Sequence, residues 1–213
     1  DGRLKDGEFN IAMLDVGQGL AIVITTRRHL FAYDFGPRYG VFSLGEAVVM
    51  PHLAGEGRSR IDAAVLSHDA NDHVGGFSSV ADKLLIERKF SGEPHKTGGL
   101  DCARSRPSIW TWDGVSFAFL DGRPPKVRDA NDASCVIRIQ GKHGSALLTG
   151  DIEAAAEQTL VDRYGSTLKV DVLQVPHHGS NTSSTAGFLN AASPRHALLS
   201  RGRKNRFGHP APE

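Results

Sequence analysis

The chain is poor in cysteine: Cys102 and Cys135 are the only two in 213 residues. Two are too few for a disulfide-built scaffold and too far apart for a thiolate zinc site. They stand either as two buried small hydrophobes or as one bridge, the latter favoured where the domain faces an oxidising space. No run of about 18 apolar residues occurs, so no segment reads as membrane-spanning, and no signal peptide is visible. An excess of one charge is also missing. Lys and Arg number 25 against 24 Asp and Glu, and the net charge of +1 neither demands nor excludes a nucleic-acid partner.

What is present suits one globular domain over residues 1–213, with 39% hydrophobic and 23% charged residues. The chain starts at Asp1 and stops inside what reads as a motif, Gly208-His209-Pro210-Ala211-Pro212-Glu213; both ends suggest a piece of a longer protein. Alternating or β-branched runs predict strands at 9–16, 20–26, 29–34, 61–67, 108–112, 115–120, 134–140, 145–149, 171–175 and 196–200. Gly17-Gln18-Gly19 and Asp113-Gly114 read as hairpin connections. Helices are predicted at 43–54 with Ser43 as N-cap, from Gly75-Gly76 to about Leu85, at 152–164 and at 184–192, and 91–107 as irregular loop. Hairpins followed by alternating strands and helices fit two sheets packed face to face with helices outside. The alternating Trp110 and Trp112 are better placed in a core than as base-stacking residues.

The chemistry-bearing residues sit where apolar strands end. After the run Ile61 to Leu66 come His68, Asp69, Asp72 and His73, then Gly75-Gly76. Two imidazoles and two carboxylates at a strand end are what a divalent-metal site requires, because imidazole and carboxylate together bind the ion and offset its charge. Three further strand ends carry Asn131-Asp132-Ala133-Ser134, Thr149-Gly150-Asp151 and His177-His178-Gly179-Ser180, and His209 is a fifth candidate. Alone, Asp151 reads as a helix N-cap, Asn131-Asp132 as a turn and His177-His178 as surface polar residues. Together they supply the six or seven ligands that a two-ion phosphoryl-transfer site needs.

In this order the segments resemble the metallo-β-lactamase superfamily, and within it the C-terminal domain of the ComEC family of competence proteins. The resemblance is carried by Leu14-Asp15-Val16-Gly17-Gln18-Gly19, Ser67-His68 through Gly76, Asn131 through Val136, Leu148-Thr149-Gly150-Asp151, Val175-Pro176-His177-His178-Gly179-Ser180 and Asn205 through Pro210. It implies an α+β fold, an αββα sandwich of two mixed sheets with helices on the outer faces. It implies two divalent ions, Mn²⁺ or Zn²⁺, held by His68, Asp72, His73, Asp151, His177 and His209. Asp72, His177 and His178 are then the catalytic residues, orienting the attacking water and stabilising charge on the phosphoryl oxygens. Asn131, Ser134, Ser180, Asn205, Arg203 and Arg206 are the candidate substrate-binding residues.

The implied function is a nuclease that degrades the non-transported DNA strand during uptake. It would act on the periplasmic face of the inner membrane, beside a channel and OB-like domains of the same parent protein, with no membrane insertion of its own. Single-stranded DNA is the expected substrate. Cations flank the candidate ligands at Arg201, Arg203, Lys204 and Arg206, and at Arg123, Lys126 and Arg128. One departure stands out. Ala70 occupies the position where the family carries Asp and the superfamily His, and alanine has no donor atom. The site built on His68 has thereby lost one ligand, while the set Asp72, His73, Asp151 and His209 is kept; Ala70 reads as an engineered inactivating change, as natural degeneration, or as a natural site in which Asp69 or water substitutes. Two other functions stay open: a non-catalytic DNA-binding or channel-docking module, and another phosphoester hydrolase such as a phosphorylcholine esterase. The low aromatic content of 7% weighs against a choline pocket.

Overall fold

A computed structural model describes residues 4–105, 108–126 and 129–212. Two six-stranded sheets run through the chain one after the other. The first holds β1 (Asn10–Met13), β2 (Ile22–Thr25), β3 (Leu30–Tyr33), β4 (Ala63–Leu66), β5 (Lys89–Ser91) and β6 (Leu100–Asp101). The second holds β7 (Ile109–Trp112), β8 (Val115–Leu120), β9 (Val136–Gln140), β10 (Ser145–Leu148), β11 (Val172–Gln174) and β12 (His196–Leu198). Each sheet keeps sequence order, begins antiparallel and ends parallel. Antiparallel neighbours need only turns: Asp113 and Gly114 both take positive φ, 47° and 76°, the two-residue turn whose twist matches its strands. Parallel neighbours need crossovers. These run through α1 (Met50–Gly55) before β4, α2 (Asn71–Val74) and α3 (Phe77–Ala81) before β5, α4 (Pro94–Thr97) before β6, α5 (Ala154–Tyr164) before β11 and α6 (Ala186–Ala192) before β12.

The strand period of two sorts the side chains into layers. Ile22, Ile24, Phe31, Tyr33 and Val65 of the first sheet meet Val115, Phe117, Ile137, Ala146 and Leu148 of the second. On the outer face of the first sheet Val23, Leu30, Ala64 and Leu66 pack on Val49, Leu53 and Val80. On the outer face of the second, Val136, Leu147 and Leu173 pack on Ile152, Ala156, Leu160 and Phe188. The result is the expected αββα sandwich, two mixed sheets with helices outside. Trp110 stacks on Phe117 with ring centroids 5.4 Å apart and, half-buried, packs against the core.

Three expectations are corrected. The helix expected from Gly75-Gly76 to Leu85 ends at Ala81, and Leu85–Ile86 instead pair with Arg60–Ile61. The region read as irregular holds α4 and β6; a two-residue strand pairing with Phe90 and Ser91 shows no periodicity to detect. Ser43 accepts only a long hydrogen bond, 3.4 Å from the Glu46 N–H, before a helical stretch that begins at Gly45. Cys102 and Cys135 form a disulfide that ties the loop after β6 to the residue preceding β9. Among the described residues no helix is long and apolar enough to cross a membrane.

Candidate metal centre

The ends of β3, β4, β10 and β11 converge at one edge of the sandwich. β4 delivers Ser67, His68 and, through α2, Asp72 and His73. β10 delivers Asp151, β11 delivers His177 and His178, and β3 delivers Asp34. The turn between β1 and β2 packs against this edge. Leu20 N–H donates to the Asp72 carbonyl at 3.0 Å, and a Cβ on Gly19 would meet that carbonyl oxygen at 2.3 Å, so only glycine allows the approach. Gln18 Oε1 accepts the Gly202 N–H at 2.9 Å and fixes the loop of residues 201–209.

Two overlapping groups of side chains have donor atoms close enough to share an ion: His68, His73 and Asp151, all buried, and Asp72, His73 and His178. His73 Nε2 lies 3.1 Å from Asp151 Oδ2 and 3.2 Å from His178 Nε2. His178 Nε2 is 3.4 Å from both Asp72 Oδ2 and Asp151 Oδ2. Each imidazole is aimed by its other nitrogen. His73 Nδ1 meets Asp34 Oδ2 at 2.7 Å, His178 Nδ1 meets the Ser200 carbonyl at 2.9 Å, and His68 Nδ1 meets the hydroxyls of Ser67 at 3.0 Å and Ser134 at 3.3 Å. Outer partners of this kind fix the tautomer of a metal-binding imidazole. The donor set fits a divalent ion, and Asp151 Oδ1 is buried with no hydrogen-bond partner, an acceptor left for a ligand.

The electrostatics point the same way. Burial opposes charge on His73, but the carboxylates of Asp151 and Asp34 outweigh it and hold the imidazole well above its usual range. Burial is likewise outweighed at His178, where Asp151 and Asp72 push the value up to about 9. Asp151, buried too, is driven well below the carboxylate range by His73 and His178. His68 lacks such a partner and is lowered by burial and by His73. Without an ion, protons hold the place of the positive charge.

His177 and His209 lie outside both groups. His177 Nδ1 faces Glu153 Oε1 at 3.1 Å and Thr182 Oγ1 at 3.2 Å; its Nε2 faces Asn131 Nδ2 at 3.5 Å and Asp151 Oδ2 at 4.0 Å. The structure thus places His178, rather than His177, among the converging donors. The backbone decides this: His177 and His178 take φ of 48° and 54°, a left-handed stretch costly for residues with a Cβ. His209 stands at the rim, its ring 5.8 Å from that of His177, with Nδ1 buried and unpartnered. Asp69 is no substitute at position 70. Its N–H is bound to Glu93 Oε2 at 2.8 Å and its carboxylate faces Lys96 at 4.0 Å, in neither donor group.

The residues expected to touch substrate divide. Asn131 faces the site beside His177. Ser134 is turned inward, on His68 and on the Asp151 N–H at 3.2 Å. Ser180 is buried on Thr182, 3.0 Å away. Asn205 spends its amide within its own loop, donating to the carbonyls of Gly202 and His209 and accepting from the N–H groups of Phe207 and His209. These three shape the site instead of facing outward. Arg203 and Arg206 are exposed, as are Arg201 and Lys204. In the second basic segment Arg123 is held by Asp101 at 2.8 Å, Lys126 is exposed and Arg128 lies outside the described residues. Sequence reasoning missed Asp34 and Glu153. Asp34 carried a visible signal, a carboxylate where a strand ends in a turn, read only as the turn.

A family model described as the metallo-beta-lactamase superfamily matches residues 14–203. The chain is 38% identical over 208 residues to "Competence protein ComA" of Neisseria gonorrhoeae, covering 97% of this chain and 29% of that protein. It is 36% identical over 214 residues to "Recombination protein 2" of Haemophilus influenzae, covering 98% of this chain and 26% of that protein. The chain therefore spans less than a third of the length of these curated relatives. Among solved structures it resembles the metallo-beta-lactamase fold protein YhfI from Bacillus subtilis, with a TM-score of 0.55 at 11% identity, covering 91% of this chain and 87% of the other.

Proposed function

Because the chain belongs to the metallo-beta-lactamase superfamily, whose members are metal-dependent hydrolases, we propose that it hydrolyses phosphodiester bonds of DNA as the nuclease domain of an uptake protein. The observation that carries this reading is the convergence of five metal-donor side chains beside a loop bearing Arg201, Arg203, Lys204 and Arg206. The likeness to competence and recombination proteins supports it. In this reading the domain degrades the strand that is not transported. It works beside the channel and OB-like domains of a larger membrane protein, on the periplasmic face of the inner membrane. The disulfide supports an oxidising compartment.

His68, His73 and Asp151 would hold one ion, with Asp72 and His178 completing its surroundings. His73 Nδ1 is committed to Asp34, so a single nitrogen serves both donor groups. Ala70 adds no donor beside His68, so the ion that relies on His68 is the weaker one. Mn²⁺ and Zn²⁺ both suit carboxylate and imidazole. A divalent ion at this place lowers the pKa of water and neutralises phosphate charge. The side chains do the rest. Asp72, a third exposed at the mouth, accepts a hydrogen bond from the attacking water and aims it. His178, held through Nδ1 by the Ser200 carbonyl, keeps Nε2 turned to the donor group, and His177, backed by Glu153, is positioned to donate a hydrogen bond to the phosphoryl oxygens as charge develops. Arg203 and Arg206 draw the phosphate backbone in.

Ala70 also favours a second reading, a DNA-binding or channel-docking module with no catalysis. Metal content by mass spectrometry, paired with cleavage of end-labelled single-stranded DNA in Mn²⁺, Zn²⁺ or EDTA, separates the two. Cleavage that requires the ion supports the nuclease. A metal-free protein that binds DNA and never cuts it overturns that reading in favour of the second.

A further inference from the structure

A cavity of about 470 Å³ opens directly beside the donor groups, with Asp72 in its wall. Tyr39, on the small hairpin of residues 38–43, and Phe207, on the basic loop, line it together with Gln18, Asn71 and Arg206. Both rings are conspicuously open, Tyr39 58% and Phe207 54% exposed. Phe207 is held in place: its N–H is bound by Asn205 at 3.2 Å, its ring stacks on His209 with centroids 5.7 Å apart, and the Arg206 guanidinium lies 4.9 Å from its centroid. Tyr39 pairs with Phe42 through the backbone, while among the described residues its ring has no aromatic contact and its hydroxyl no hydrogen-bond partner.

We propose that this cavity seats an unpaired nucleobase between Tyr39 and Phe207, so that the site recognises single-stranded nucleic acid by stacking as well as by charge. The proposal rests on the phosphodiester reading above and specifies its substrate. An open aromatic face beside a cationic loop can stack on a base, and every base presents such a face whatever its sequence. The cations of the same loop complement the phosphates on either side of the base, and Asn71 presents its amide at the rim. A duplex keeps its bases stacked inside and offers no free base face to the two rings. Arg206 in the cavity opposes a quaternary ammonium while Asp72 in its wall attracts one, so phosphorylcholine is the competing ligand that the test includes.

The test is equilibrium binding of the full chain in EDTA, at one fixed salt concentration. It uses three probes of about 12 nucleotides: oligothymidylate, an abasic strand of equal charge, and a duplex. Oligothymidylate is expected to bind about tenfold more tightly than the abasic strand. Tyr39→Ala/Phe207→Ala removes that preference while abasic binding persists, and Tyr39→Phe/Phe207→Tyr restores it. A wild-type chain that binds the abasic strand or the duplex as tightly as oligothymidylate overturns the proposal. So does a double-alanine variant that keeps the preference, or displacement of the strand by phosphorylcholine. Because no step requires cleavage, failure here and failure of metal-dependent hydrolysis are independent results.

Discussion

Asp34 Oδ2 lies 2.7 Å from His73 Nδ1, both side chains fully buried, while Asp34 Oδ1 accepts the Ser67 N–H at 2.7 Å. One carboxylate thereby links the end of β3 to the end of β4 and sets the tautomer of the imidazole shared by both donor groups. Asp34 takes φ of 57°, a region asparagine tolerates. Asp34→Asn therefore keeps the backbone and the Ser67 bond, but presents an N–H to His73 Nδ1. The imidazole proton must then move to Nε2, where it blocks ligation. Metal affinity, measured by competition with a chelating dye, is expected to fall roughly 10–100-fold. Unchanged affinity would remove Asp34 from the site's design.

Ala70→Asp should restore a donor. Ala70 is extended, with φ −126° and ψ 141°, and N-caps α2 without a side-chain bond. An aspartate there either turns to the ion or caps the helix, and the two outcomes differ in what they change. Ligation raises metal content and Mn²⁺-dependent cleavage; capping raises only thermal stability, by about 1 kcal/mol. The expected outcome is the first. Equal cleavage by the Ala and Asp forms would show that position 70 does not limit this site.

Metal binding should release protons. His178, raised to about 9, and His73, raised well above its range, are both charged at neutral pH without an ion. A cation displaces those protons, so affinity rises with pH up to about 9, roughly tenfold per unit for each proton released. Titration calorimetry in buffers of different ionisation heat counts them. The metal-free protein shows the opposite trend. A folded pKa above the usual 6.5 contributes stability that is complete below 6.5 and is lost as pH climbs towards about 9. Its melting temperature should fall across that window, and the fall should vanish with metal bound.

Much of this candidate site was legible because its donor residues follow apolar strands, so hydrophobic pattern and polar cluster fall next to each other at His68–His73 and at Asp151. The Gly17-Gln18-Gly19 turn was legible as a connection; its approach to the Asp72 carbonyl was not, since that contact crosses more than fifty residues of chain. The choice between His177 and His178 was hidden for a different reason. It depends on two consecutive left-handed residues, and a histidine's modest enrichment in that region does not locate such a pair in the chain. Asn205 looked like a substrate contact because an exposed loop amide usually has spare donors. Only the closed loop of residues 202–209 shows that this one has none.

Single-stranded DNA binding should weaken with salt. If Arg201, Arg203, Lys204 and Arg206 all contact phosphate, each contributes about 0.7 to the slope of log affinity against log salt. Arg203→Ala should therefore flatten the slope by about 0.7 without changing base preference. An unchanged slope would assign Arg203 to solvent.

The Cys102–Cys135 bridge joins the end of β6 to the backbone beneath the metal centre. Cys135 N–H donates to the Ser67 carbonyl at 3.0 Å, the Tyr33 hydroxyl donates to the Cys135 carbonyl at 2.6 Å, and neighbouring Ser134 supports His68. The bridge closes a loop with a sequence separation of 33 residues. Loop-closure entropy for that length is worth about 3–4 kcal/mol, and in a chain of this size such a loss lowers the melting temperature by roughly 10 °C. Cys102→Ala/Cys135→Ala should show that drop in calorimetry and also bind metal more weakly than the oxidised chain, because the strand end that seats Ser134 is no longer tied down. The two readouts test separate links. A lower melting temperature with full metal affinity would make the bridge a staple for β6 alone. No change in either, with the wild-type thiols shown by labelling to be blocked, would mean that the packing of Phe90, Phe119 and Cys135 already holds this edge without it.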